Sequence, residues 1–145
     1  MQHAMLEAGE GRTFANGVGT AQVKIEQGQS PGFAMFESEL APASAGPPPH
    51  LHDAYDEAFY VLEGRVRFCV DEEVRDCAPG SVVFVPRGSL HSFSNASDRP
   101  SRVLVVLTPP ALALVEAMGA VAGDPVAARA LWTEHRSRVQ QAKTR

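Results

Sequence analysis

Four residues in the middle of the chain have the types and spacing to hold a metal ion. His50 and His52 stand two apart, Glu57 follows after four intervening residues, and His91 lies beyond a second stretch of β-type sequence. Side chains two apart on a strand share a face, so His50 and His52 converge as a two-nitrogen claw. Residues 53–56 are polar and turn-forming, and reverse the chain to set Glu57 beside the pair. Imidazoles with one carboxylate suit Fe, Mn, Ni, Zn, Co or Cu as divalent ions, whereas Mg or Ca would want more oxygen. His91 completes a set of three histidines and one glutamate, in which Glu57 is both a ligand and the candidate catalytic proton acceptor.

The elements that must position these residues are short and β-like. Between residues 13 and 25, Gly17 and Gly19 break up extended pieces, of which 20–25 is the clearest, and residues 29–32 read as a turn. Residues 33–40 form a strand whose Ala34, Phe36, Ser38 and Leu40 face the core. Pro47, Pro48 and Pro49 stiffen the approach to His50. A hairpin over 63–75 turns at Asp71, Glu72 and Glu73. Residues 81–85 read as a buried strand and 101–108 as one apolar on both faces.

After Pro109 and Pro110 the texture becomes alanine-rich, with a helix over 111–118. Asp124 as N-cap and Pro125 at the first helical position open a second helix running towards about Gln141. Trp132 is expected to pack that helix on the β body, with His135 facing solvent or capping.

Extending the strand faces gives the expected cavity: Phe59 and Val61 beyond Glu57, Phe93 and Asn95 beyond His91, and Phe36 with Ser38 from the preceding strand. Such a lining suits a small, flat or lipophilic organic ligand better than a sugar phosphate. Asn95 and Gly88 read as turn positions.

A chain of 145 residues makes one domain, divided here into an N-terminal arm (1–12), a β-barrel (13–108) and C-terminal helices packing on it (109–145). Its net charge of -4 offers no basic field, so no nucleic-acid partner is expected. No apolar run reaches membrane-spanning length and the first ten residues lack signal-peptide character, so a cytoplasmic protein without membrane attachment is expected. Cys69 and Cys77 are expected as reduced thiols.

The pattern His50-x-His52-x4-Glu57-x6-Gly64, followed by Gly80-x5-Pro86-x-Gly88-x2-His91-x3-Asn95, resembles the two motifs of the cupin superfamily. The second motif is matched at every fixed position; the first lacks its leading glycine, which would fall at Ser44, with Gly46 the nearest. The resemblance implies an all-β, double-stranded β-helix (jelly-roll) barrel with a short C-terminal helical segment, and a metal held at His50, His52, Glu57 and His91. The string from Pro48 through His52, the run from Asp56 to Gly64 and the helical tail after Thr108-Pro109-Pro110 are similar to quercetinase-type single-domain cupins. From this follows the expectation of a metal-dependent enzyme, such as a dioxygenase on a small enolic or phenolic compound. The alternatives are a non-catalytic small-molecule binder or sensor, or a metal-dependent isomerase or cyclase. Two-sided apolar strands, 58–62 and 103–107, lead us to expect a homodimer.

Overall fold

Residues 3–121, 123–135 and 137–139 are described by the computed structural model. Period-two alternation dominates the chain, and two antiparallel sheets result. The larger sheet runs in the order β1 (Thr13–Ala15), β2 (Gly19–Ile25), β3 (Ala34–Leu40), β10 (Ser101–Leu107), β5 (Glu57–Glu63), β8 (Val82–Val85). The smaller sheet runs β11 (Ser137–Val139), β4 (His50–His52), β9 (His91–Ser94), β6 (Val66–Val70), β7 (Glu73–Cys77). Helices α1 (Ala111–Ala120) and α2 (Pro125–Glu134) lie between β10 and β11 in the chain.

Facing sides of the two sheets make the core. On β3, Ala34, Phe36, Ser38 and Leu40 are buried, the face expected from the alternation. Val61, Val66, Val103 and Leu107 are all but inaccessible, and each such side chain contributes about 1.5–3 kcal/mol through removal of apolar surface from water. The 63–75 hairpin forms as β6 and β7 joined at Asp71 and Glu72. Cys69 and Cys77 are both free thiols, on different strands and half-buried and buried respectively.

Two expectations need correction. The strand at 81–85 is not buried: β8 ends the larger sheet, and Val82 and Phe84 are 64% and 60% exposed, so only the face carrying Val85 meets the core. A continuous apolar run does not reveal whether an outer layer covers it, and here nothing among the described residues does. The second helix does not run on towards Gln141. It stops at Glu134, and Ser137–Val139 pairs with His50–His52 as β11; Gln141 itself lies outside the described residues. The free edge of β4 offers ladder hydrogen bonds that the single-chain helix signal does not register.

Local locks fix these elements. Asp124 caps α2 by accepting from the backbone N–H groups of Val126 and Ala127 at 3.1 and 3.0 Å. Arg12 ties α1 to the N-terminal strands, its guanidinium pairing with Glu26 at 2.8 Å and with Glu116. Among the described residues no helix is long and apolar enough to cross a membrane.

Candidate metal centre

The three histidines come from neighbouring strands of the smaller sheet. β4 carries His50 and His52 on one face, and His50 sits directly opposite His91 of β9. Glu57 does not lie beside them on a third adjacent strand. Residues 53–56 carry the chain across to the larger sheet, and Glu57 faces the histidines as the first residue of β5. That crossing is pinned: Asp56 takes a two-pronged bond from Arg87 at 2.9 and 3.1 Å, and the Gly88 N–H donates to the His52 carbonyl at 2.7 Å. Arg87's side-chain and backbone donors hold the Asp56 carboxyl at about 2.

All four side chains are buried, and one ligand-type atom from each lies within 4.8 Å of every other. Glu57 Oε2 is 2.9 Å from His91 Nε2, and Glu57 Oε1 is 3.6 Å from His52 Nε2. Each imidazole is held from behind through Nδ1: His50 to the Pro48 carbonyl at 2.8 Å, His91 to the Ser89 carbonyl at 3.0 Å, His52 to Ser137 Oγ at 2.6 Å. A carbonyl only accepts, so His50 and His91 donate from Nδ1 and turn Nε2 inward, the arrangement that ligating histidines take.

The electrostatics suit a cation. Burial, then the neighbouring His91 and His52, push His50 down to about 3, so its ring is neutral. Burial alone would raise the Glu57 carboxyl, but the neighbouring His52 and His91 rings outweigh it, His91 through its 2.9 Å hydrogen bond, and hold the group below the usual carboxylate range. Burial likewise disfavours the His91 cation, yet the bond to Glu57 raises that group overall. An ionised carboxylate beside inward-turned imidazoles is the donor set that divalent transition metals require, so the residues present fit the ion.

Above the four residues opens a cavity of about 410 Å³, within the range of small-molecule sites. His50, His52 and Glu57 line it, while His91 stands behind them. Of the pocket residues read from the sequence, Phe36, Ser38, Phe59 and Phe93 line the cavity. Val61 does not: it is fully buried in the hydrophobic core. Asn95 is also absent from the wall; it donates to the carbonyls of Leu40, Ala41 and Arg99 and so fastens a loop, its role as a turn residue.

Three site residues escaped the sequence reading. Trp132 does pack α2 on the barrel, as expected, but it does so over the histidines, its ring centroid 4.7 Å from His50 and 5.9 Å from His52. Tyr55, read as part of a polar turn, is buried with its ring 5.6 Å from His52. Ser137 carried no signal beyond a single hydroxyl in a polar tail.

The family model described as a cupin domain matches residues 36–107, which span β3 to β10 and include all four residues. The chain belongs to the cupin family. Its β11 and both helices lie outside the matched span. This cupin is 34% identical to an uncharacterised protein of Streptomyces coelicolor over 110 residues, 76% of this chain and 98% of the relative. It is 27% identical to the quercetin 2,3-dioxygenase of Bacillus subtilis over 121 residues, 83% of this cupin but 35% of that enzyme's length. Among solved structures, the polyketide cyclase RemF from Streptomyces resistomycificus superposes with a TM-score of 0.64 at 25% identity, covering 75% of this cupin and 83% of the cyclase.

Proposed function

We propose that the chain is a metal-dependent enzyme acting on a flat, uncharged enolic or phenolic compound, with dioxygenation as its reaction. One observation carries this reading: three histidines and a glutamate sit at one end of an apolar cavity whose described lining includes Phe36, Phe59, Phe93 and Trp132 but no lysine or arginine. Phosphate or carboxylate substrates would want such cations inside; stacked, neutral rings want aromatic walls. The bound ion would supply Lewis-acid and redox chemistry at the positions that four protein ligands leave open.

The chain's own residues divide the remaining work. Glu57 is the proton acceptor for the substrate hydroxyl: Oε2 is engaged by His91, and Oε1, at 3.6 Å from His52 Nε2, is the less encumbered oxygen. At the far end, Asn16 fixes its Oδ1 on the N–H groups of Val18 and Gly19, and so donates from Nδ2 to Ser38 Oγ at 3.0 Å. Ser38 is thereby left with its own hydrogen to donate to a ligand oxygen. The register places Glu57 level with Ala34 through Leu107, so Ser38 lies four residues along, about 13 Å at ~3.3 Å per residue. That span suits a molecule of two or three fused or linked rings.

Oxygen uptake by protein loaded separately with Fe, Mn, Ni and Co, over a panel of flavonols and simpler phenols, tests the reading. Consumption of O2 in step with substrate loss, absent in Glu57→Ala, is the expected outcome. A lack of O2 uptake with every metal contradicts it. The likeness to the polyketide cyclase RemF favours one second reading, aldol-type ring closure of a polyketide chain, which would give product without O2 and lighter by water. Tyr60, Val82 and Phe84 form a contiguous exposed patch beside the unpaired edge of β8, which supports the further proposal of a homodimer through this face. Light scattering should then report twice the chain mass, and Phe84→Glu should return the mass of a single chain.

A further inference from the structure

The orientation of His52 depends on a residue outside the span that the family model matches. His50 and His91 each rest on the carbonyl two residues upstream, Pro48 and Ser89, so the barrel holds them by itself. His52 rests instead on Ser137, 85 residues away in sequence, and both side chains are buried. The pairing of β11 with β4 sets Ser137 directly opposite His52.

A hydroxyl can donate or accept, so the 2.6 Å contact alone does not fix the ring. The second bond of Ser137 does. Its Oγ lies 3.3 Å from the His135 carbonyl, which only accepts, so the hydroxyl hydrogen goes there and Oγ takes the Nδ1 hydrogen of His52. Nε2 of His52 is then the unprotonated nitrogen, and it is the one facing Glu57 Oε1 at 3.6 Å. With Ser137 1% exposed, water has little room to replace the hydroxyl. We propose that Ser137 is a positioning residue for the metal centre, and that through it the C-terminal strand sets His52 as a ligand. The inference deepens the metal-site reading above and rests on it.

Cobalt(II) is the probe. The full-length chain, stripped of metal, is titrated with Co(II) against a chromophoric chelator, with the visible spectrum of the bound ion recorded alongside. Ser137→Ala is expected to bind Co(II) about 10–100-fold more weakly, the range for loss of an outer partner of a ligating histidine, with an altered spectrum. Ser137→Thr, which keeps the hydroxyl, restores both. Imidazole 15N shifts of His52 in the metal-free protein are expected to show a hydrogen on Nδ1 in the parent and a mixture of tautomers in Ser137→Ala. Arg138→Ala removes the solvent-side pair of β11 with Asp53, 2.9 Å long, and controls for loosening of the strand; solvent screens an exposed pair of this kind, so little change in Co(II) affinity is expected. The proposal is overturned if Ser137→Ala binds Co(II) as the parent does with the same spectrum, or if Arg138→Ala loses as much affinity. A parent chain that takes up no Co(II) removes the metal reading itself, and the proposal with it.

Discussion

Glu57→Ala should lower metal affinity by more than about 100-fold, beyond the range for losing an outer partner of a ligand, and should abolish turnover. Glu57 is the single anion of the four residues, and it is 7% exposed. A cation entering the site exchanges its water shell for these donors, and the carboxylate supplies the one full charge that favours the exchange. The fold should survive the change. Glu57 is what raises His91, so without it His91 sheds its proton and leaves no lone buried charge behind. Glu57→Gln keeps the volume and an acceptor for His91 but not the charge, and should fall between parent and alanine variant. Chelator competition gives the affinities and a far-ultraviolet melt gives the stability. Equal affinity of parent and Glu57→Ala would take this residue out of the site.

Gly46→Ala should destabilise the chain by about 3 kcal/mol or more, through left-handed strain of about 1–2 kcal/mol and a backbone collision added to it. Gly46 has φ +71°, and a Cβ there would overlap the carbonyl oxygen of Phe93 and come within 2.8 Å of its carbon. The approach loop thus lies against β9, whose His91 and Phe93 belong to the site and its wall. Ser44, at the expected glycine position, ties the loop down instead. Its carbonyl accepts the Asn95 N–H at 2.9 Å, and its hydroxyl accepts the Gly46 N–H at 3.2 Å. Ser44→Gly should therefore bring no gain, only the modest entropic loss of a freed backbone, below about 1 kcal/mol. Urea unfolding curves read both variants. Equal midpoints for Gly46→Ala and the parent would contradict the close approach.

How far the sequence went can be followed residue by residue. Alternation on β3 showed its buried face because period-two burial leaves a direct mark, and the clustering of His50, His52, Glu57 and His91 followed from their spacing. The displaced glycine was legible as a departure but not as a solution, since the collision that Gly46 avoids is with Phe93, 47 positions on. Phe36, Ser38, Phe59 and Phe93 reach the cavity because they extend the ligand faces, whereas Val61 follows the same alternation but is buried among core side chains, which alternation alone does not distinguish from a cavity wall. The tail was least legible. Capping chemistry at Asp124 and Pro125 announced the start of α2, but its end depends on pairing with β4, a contact that no local pattern encodes. Hence Trp132 and Ser137, which come to the histidines from that tail, looked like ordinary helix residues.

The most direct test of the account is elemental analysis of metal-free protein after exposure to one equivalent of Fe(II), Mn(II) or Co(II) and removal of excess, alongside the double variant His50→Ala, His91→Ala. The expected result is close to one ion per chain in the parent and none in the double variant. A folded parent that retains no ion, or a double variant that retains as much as the parent, would contradict the assignment of His50, His52, Glu57 and His91 as a metal centre.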